Sequence, residues 1–237
     1  MPVDFMLDKI YNVDYMTWEE ELLQMEVFNS RDIQKIYLDK WMEILKAQDD
    51  SVCKEYNNPK MKILLLKEKT EAPESFQIPI EYKSNSMFIH FRVSRLIQSI
   101  EQANISSDSA SDIGIEEFTK VNRRINWTAT TDKVKIKIQP IIIVPLTVGV
   151  FYQWLVVDGN HRITYAIENK KKSVKAFSLD PNALVEANMF SSGFDKFLYI
   201  FQNEMIALAS YIHREGYSDE EAFKLGFLCS GKVQCYV

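Results

Sequence analysis

Residues 155–167 read LVVDGNHRITYAI, and this stretch predicts a strand that passes through a tight turn directly into a helix. The apolar residues before Asp158 are typical of a buried strand, and the segment after the polar turn is typical of a helix. Gly159 allows the backbone to turn sharply and leaves room for a ligand beside it. We therefore expect this strand–turn–helix segment to position a functional site.

The turn carries groups that suit a bound anion. The first N–H groups of a helix point out of its end, and the helix dipole favours negative charge there. Arg162 offers several donors that fit phosphate oxygens, and His161 adds a donor or a proton carrier. Asp158 would repel a bare phosphate, but it could share a magnesium ion with one. A simpler interpretation stays open, in which Asp158 caps the helix and the two basic residues form unrelated salt bridges.

Strands and helices alternate on both sides of this segment. Apolar or alternating residues predict strands over residues 76–82, 133–138, 141–145, 152–157 and 174–179, and helices over residues 91–103, 116–127 and 162–168. A turn is predicted at residues 147–150, and the small polar residues 104–113 predict a flexible loop. Such alternation predicts a mixed α/β (α+β) sheet.

The two ends of the chain are predicted to be helical. Residues 17–48 are predicted to be helical, with Thr17 as the cap of the first turn, and residues 60–69 predict a short strand or a buried helical turn. Residues 194–214 predict an apolar helix that Gly216 ends, and Ser218 starts another. The sequence thus predicts a helical N-terminal extension (1–75), an α/β domain (76–181) and a helical C-terminal region packed on it (182–237).

Composition narrows the class of protein. The 237 residues carry a formal net charge of −5, which argues against a broad basic surface and against nucleic acid as a partner. The three cysteines lack metal-ligand spacing, and their odd number does not suggest a set of disulfides. A reduced compartment is the simplest interpretation. The N-terminal residues lack the order of a signal peptide, and the longest apolar run is too short to cross a bilayer. We expect a cytoplasmic protein without membrane contact.

Three blocks of the sequence resemble the superfamily that unites the ParB N-terminal domain, sulfiredoxin and the free-serine kinases. QIPI at residues 77–80 is followed by RVSRLIQSI at 92–100, similar to the K-V-x-S-L helix of sulfiredoxin. QPIIIVPL at 139–146 is similar to the Q-P-I-x-V strand of ParB domains. DGNHR at 158–162 stands where these families have G-C-H-R, G-E-R-R and D-G-x-H-R. The resemblance covers less than half of the chain.

The resemblance implies a ParB/sulfiredoxin-like mixed sheet that binds ATP or another nucleoside triphosphate. It implies that Gly159, Asn160, His161 and Arg162 hold the phosphates, and that Arg92 at the start of the earlier helix assists them. Asn160 stands in the position of the sulfiredoxin cysteine, so the thiol chemistry of that enzyme is not expected here.

The serine-kinase pattern is the nearest, because it also has an aspartate before the glycine. It implies that Asp158 works at Mg²⁺ and phosphate, and that a separate glutamate acts on the hydroxyl of the acceptor. Glu81, near the end of the first strand of the resemblance, is the candidate for that second carboxylate. Asp158, His161 and Glu81 are therefore the predicted catalytic residues, with Asp158 as the metal ligand.

The predicted function is Mg²⁺-dependent phosphotransfer to a small-molecule acceptor, or nucleotide hydrolysis, at this turn. Two alternatives stay open. One is a non-catalytic module of a plasmid or phage that senses a nucleotide or binds a partner. The other is a ParB-like DNA-associated protein or nuclease, against which the acidic net charge argues. The acceptor, the base and the oligomeric state are left open by the sequence.

Overall fold

The computed structural model describes residues 13–72, 74–119, 139–148 and 151–235. Within these ranges the fold is mixed α/β, as the sequence predicts, with ten α-helices and two sheets. The helices are α1 (Tyr15–Leu23), α2 (Arg31–Asn57), α3 (Pro59–Glu71), α4 (Val93–Gln102), α5 (Glu116–Thr119), α6 (Asn160–Glu168), α7 (Pro181–Glu186), α8 (Gly193–His213), α9 (Asp219–Leu225) and α10 (Phe227–Ser230). The strands are β1 (Phe76–Glu81), β2 (Ser86–Phe91), β3 (Ser111–Gly114), β4 (Ile141–Val148), β5 (Phe151–Asp158) and β6 (Ser173–Ser178). No helix in these ranges combines the length and the apolar character needed to cross a bilayer.

The helical prediction for residues 17–48 is confirmed over most of that range, but the chain forms two helices, α1 and α2, and residues 24–30 form a break between them. Asp14, rather than Thr17, caps α1, and its side chain accepts a hydrogen bond from the Thr17 backbone at 3.1 Å. The buried Gln34 stabilises the break, since its side chain accepts from Val27 N (3.1 Å) and donates to Leu22 O (3.1 Å). The side-chain amide of Gln34 thus pairs with backbone groups that would form hydrogen bonds within the helix if the helix were continuous.

The predictions for the connecting segments have mixed outcomes. Residues 60–69 belong to the helix α3, which Asn58 caps, so of the two predictions the helical one is right and the strand is wrong; the predicted burial is also wrong, because Ile63, Leu64 and Leu66 are exposed. Residues 104–110 form a surface loop that contains a short 3₁₀ turn, as predicted, whereas residues 111–113 belong to β3; the flexibility of the loop stays a prediction. The predicted strand at 133–138, and the predicted helix beyond Thr119, lie outside the described residues. In the predicted glycine-containing turn at 147–150, the first two residues belong to β4, which continues to Val148, and residues 149–150 lie outside the described residues.

The four-stranded sheet has the order β3-β6-β4-β5. β4 and β5 pair antiparallel, with Val144 opposite Leu155, whereas β4 and β6 pair parallel, with Ile141 opposite Ala176. Parallel strands need a crossover connection, and here it runs through β5 and α6. β1 and β2 form a separate antiparallel pair. The crossover places the turn between β5 and α6 beside the first residues of β4.

The two faces of the four-stranded sheet pack against different layers. Side chains alternate along a strand, so Ile142 and Val144 of β4 face one side while Ile141 and Ile143 face the other. The buried apolar residues form two cores. Ile142 and Val144 lie in the larger core, together with many buried residues of α8. Ile141 and Ile143 lie in the smaller core, together with Ile163 of α6. Helix α6, which begins at the turn, therefore covers the face opposite α8.

Buried residues from all three predicted parts of the chain meet in the larger core. Trp41 of α2, Val144 of β4 and Phe201 of α8 are each almost fully buried in it. The division into three parts stays a prediction, but the helical ends share the apolar interior of the sheet rather than forming cores of their own.

Glu204 of α8 is a buried carboxylate that joins three helices. Its Oε1 accepts from Tyr37 Oη at 2.9 Å and from Trp41 Nε1 at 3.2 Å, and its Oε2 accepts from the backbone of Phe227. Burial outweighs these donors and raises the pKa of Glu204 to about 7. The carboxyl therefore holds its proton more tightly in the folded chain than in the unfolded chain.

A pH dependence of stability follows from Glu204. Because its folded pKa is raised, its contribution is fully present below the unfolded value of 4.5 and is lost as the pH rises through about 7. Between about pH 5 and pH 8 we expect the free energy of unfolding of the wild type to fall by roughly 2–3 kcal/mol relative to Glu204→Gln, as measured by urea denaturation. The exposed Glu186 provides the control, since Glu186→Gln should keep the wild-type slope. A constant difference between the wild type and Glu204→Gln at all pH values would contradict this.

Candidate functional site

The turn between β5 and α6 begins where the strand ends, at Asp158. Gly159 follows with a φ of 99°, in the left-handed region, and α6 starts at the next residue. The Gly159 carbonyl accepts hydrogen bonds from Arg162 N (2.9 Å) and Ile163 N (3.1 Å), which closes the first turn of the helix. The predicted strand–turn–helix segment is thus confirmed.

Gly159 is required here for two physical reasons. A positive φ is strained for residues that carry a Cβ. A Cβ at this position would also lie 2.5 Å from Ile141 Cγ2, far inside van der Waals contact. The turn therefore packs directly on the first residue of β4, and only glycine fits the contact.

Asp158 and Arg162 meet across the turn as an ion pair between Oδ2 and Nη2. Arg162 Nη1 also donates to Gln139 O (2.8 Å) and Pro140 O (2.6 Å), so the guanidinium ties the turn to the residues that precede β4. The interpretation of Arg162 as a structural salt-bridge partner therefore has direct support. Its Nε lies over Gly159 and has no acceptor within the described residues, so one N–H of the group is left for a ligand.

The N-terminal end of α6 is open. Its capping residue is Gly159, so no side chain caps the helix. Within the ranges that the structure describes, the backbone N–H groups of Asn160 and His161 have no acceptor, and the His161 side chain is exposed beside them. Unpaired amides at a helix end, together with the helix dipole, attract anions. These two amides and the Arg162 Nε form the candidate anion site.

Two predicted site residues lie elsewhere. Arg92 precedes α4, and its guanidinium contacts Glu68 Oε1 at 3.3 Å and Ser191 O at 3.4 Å rather than the turn. Glu81 is exposed at the end of β1, opposite Ser86 in the two-stranded sheet. The structure thus brings together the five residues of the turn, while the roles of Arg92 and Glu81 in nucleotide chemistry stay predictions.

The carboxylates of the described residues do not gather into a metal site. No group of three or more His, Cys, Asp or Glu in those ranges could hold a metal ion. Magnesium commonly binds through one or two carboxylates and completes its shell with water and substrate phosphates. A magnesium ion at Asp158 would therefore depend on the phosphates of the nucleotide for further ligands.

A second polar feature was missed by the sequence interpretation. A cleft of about 250 Å³ lies between α4 and residues 187–189, and Arg92, Arg95 and Gln102 are among the residues that line it. The signal was present, because the polar residues of α4 recur at three- and four-residue intervals opposite its buried face. What the sequence could not show is the segment that forms the other wall.

Comparisons of the chain with protein-family models, with curated proteins and with solved structures give no match. The resemblance described from the sequence depends on three short blocks, of which the turn itself is the most specific. In the structure these blocks fall on β1 and α4, on β4, and on the β5–α6 turn.

Gly159→Ala tests whether the turn is confined as described. We expect a loss of at least about 2 kcal/mol in the free energy of unfolding, because the left-handed backbone strain adds to the overlap with Ile141. Gly216→Ala is the matched control: it has a φ of 79° but no atom within 4 Å of the new Cβ, so only the strain of about 1 kcal/mol should appear. Equal losses for the two variants, measured by urea denaturation, would show that the contact with Ile141 is absent.

Proposed function

We propose that this chain binds a nucleotide through the β5–α6 turn, with a phosphate group on the open amides of Asn160 and His161. The uncapped start of α6, directly after a buried strand, is the observation that carries the proposal. Backbone amides at such a position, reinforced by the helix dipole, are a common phosphate-binding arrangement in α/β proteins. The sequence predicts room for a ligand beside Gly159, but Ile141 and Arg162 Nε take up that space, so a phosphate would approach the amides from the open end of α6.

The Asp158–Arg162 pair supports the same proposal electrostatically. A lone carboxylate at this turn would repel a phosphate. Because Arg162 neutralises Asp158, the phosphate meets the open amides and the remaining Nε–H without an uncompensated negative charge nearby. The pair also fixes the turn before a ligand arrives, which lowers the entropy lost on binding.

The path of the chain supports a ParB/sulfiredoxin-like fold as part of the proposal. The blocks of the resemblance lie on the helix α4, on the central strand β4 and on the strand–helix turn. The unit from β4 through β5 and α6 to the parallel β6 holds that turn at the edge of the sheet. We propose that this β4–β5–α6–β6 unit is the nucleotide-binding element.

Mg²⁺-dependent phosphotransfer or nucleotide hydrolysis is the catalytic form of the proposal. Asp158 would exchange Arg162 for a magnesium ion that also binds the phosphates, and the released guanidinium would be free to contact them. His161 is exposed beside the open amides, where it can carry a proton to or from the reacting groups. In such reactions the protein mainly positions groups and neutralises charge.

A non-catalytic nucleotide sensor is the second candidate, and one observation favours it. The carboxylate expected to hold magnesium is already paired with Arg162, and Glu81 lies on the other sheet. A turn arranged in this way can bind phosphate without activating an acceptor.

Asn160→Glu tests binding at the turn. A carboxylate in the first turn of a helix favours its stability, so we expect the melting temperature without ligand to stay unchanged or to rise slightly. The same carboxylate would occupy and repel the anion site, so the rise in melting temperature that a nucleotide causes should disappear. The measurement is a thermal-shift series with ATP, ADP, CTP and GTP, each with and without magnesium.

The matched control is Asn160→Gln, which keeps a neutral amide and should keep the nucleotide response. If Asn160→Glu responds to nucleotide as fully as the wild type, the phosphate does not bind at the turn. If no nucleotide raises the melting temperature of the wild type at millimolar concentration, both nucleotide functions are wrong.

Asp158→Asn separates the enzyme from the sensor. The substitution keeps an oxygen that can accept from Arg162 but removes the charge that would hold magnesium. For an enzyme, we expect the magnesium-dependent formation of nucleoside diphosphate, which both hydrolysis and transfer to an acceptor produce, to fall by at least about 100-fold while nucleotide binding persists. A wild type that binds nucleotide but forms no diphosphate with any small-molecule acceptor added would favour the sensor.

A further inference from the structure

The cleft beside α4 is lined mostly by polar side chains. It has a volume of about 250 Å³ and lies between α4 and the segment that follows α7. Its lining consists of Arg92, Arg95, Gln98, Ser99, Gln102, Ala187, Asn188 and Met189. The volume is slightly below the range of drug-sized ligand pockets, so it suits a small molecule.

One face of α4 supplies most of the lining. Val93 and Leu96 are buried on the opposite face, where Leu96 belongs to the larger core. The polar residues from Arg92 to Gln102 therefore form a stripe about 15 Å long on the outer face. Positive charge is concentrated at the start of the stripe, and amide side chains follow it.

The two arginines share a single carboxylate. Arg92 Nη1 lies 3.3 Å and Arg95 Nε 3.5 Å from the same oxygen, Oε1 of Glu68 on α3. Both distances are longer than the roughly 2.8 Å of a strong charge-assisted hydrogen bond. Two guanidinium groups thus contact one carboxylate, and Arg92 Nη2 also donates to Ser191 O at 3.4 Å. Both arginines also line the cleft, so their guanidinium groups are in reach of a ligand there.

We propose that this cleft is a second binding site, for a small ligand that carries an oxyanion, either a carboxylate or a phosphate monoester. The oxyanion would replace Glu68 as the partner of Arg92 and Arg95, with shorter and better aligned hydrogen bonds. The amide groups of Gln98, Gln102 and Asn188 both donate and accept, so they select a ligand with hydrogen-bonding groups beyond the oxyanion.

This site is separate from the β5–α6 turn, and the inference does not rest on the proposed function. No residue from Asp158 to Arg162 lines the cleft. Leu96 of α4 packs in the larger core, whereas Ile163 of α6 packs in the smaller core on the other face of the sheet. The two sites should therefore bind their ligands independently.

The experiment uses glycerol 3-phosphate and glutarate as probes of the two oxyanions, with dissociation constants measured by calorimetry. Asn160→Glu serves as the background, because it removes anion binding at the turn. In that background we expect at least one probe to bind. Arg95→Ala should weaken the binding of that probe by about 10-fold, because one of two guanidinium contacts is lost. Arg95 is half exposed, so its loss should leave the fold intact.

Glu68→Gln gives the sharper result. If Glu68 competes with the ligand, its neutral amide should strengthen binding of the probe by roughly threefold to 10-fold, whereas a purely structural ion pair predicts no gain. Glu71→Gln is the matched control on the same helix: Glu71 pairs with Lys67 at 3.7 Å, away from the cleft, and its loss should leave binding unchanged.

The probe that binds more tightly identifies the chemical class of the ligand. The inference is overturned if neither probe binds at about 10 mM, if Arg95→Ala binds as well as its parent, or if Glu68→Gln and Glu71→Gln have equal effects. Probe binding that disappears in the Asn160→Glu background would place the site at the turn instead. If the chain does not bind nucleotides at the turn, the results expected for probe binding at the cleft stay the same.

Discussion

The contact of Gly159 with Ile141 is the constraint on which the site depends. The left-handed Gly159 joins β5 to α6 while the turn packs against Ile141, with no room for a Cβ between them. Because a glycine precedes the helix, no side chain caps it, and the amides of Asn160 and His161 stay open. The same turn sets Asp158 four residues before Arg162, so the two side chains meet as an ion pair.

Arginine side chains contact carboxylates both at the β5–α6 turn and beside the cleft, and the balance of charge differs between these sites. At the turn, one guanidinium meets one carboxylate and two backbone carbonyls, so the pair is neutral and well bonded. In the cleft, Arg92 and Arg95 share the single carboxylate of Glu68 at longer distances. The first arrangement fixes backbone amides for a ligand, whereas the second leaves guanidinium donors free to bind one directly.

The parts of the fold that the sequence predicts correctly are those that local chemistry decides. The strands β1, β4, β5 and β6, the turn at Gly159 and the cap at Ser218 follow from neighbouring residues, whereas the sequence predicts a loop in place of β3. The break between α1 and α2 depends on the side chain of Gln34, which reaches back to residues 22–28. The two backbone carbonyls that Arg162 contacts, those of Gln139 and Pro140, stand more than twenty residues away in sequence, so spacing alone could not show this part of its bonding.

Whether the open amides of α6 bind a phosphate can be decided by NMR. The chain is labelled with ¹⁵N and titrated with inorganic pyrophosphate. We expect the amide signals of Asn160 and His161 to shift with a common dissociation constant, while the signal of the Asp195 amide of α8, which the Ser192 side chain already caps, does not shift. Unmoved signals for Asn160 and His161 at saturating pyrophosphate would contradict phosphate binding at these amides.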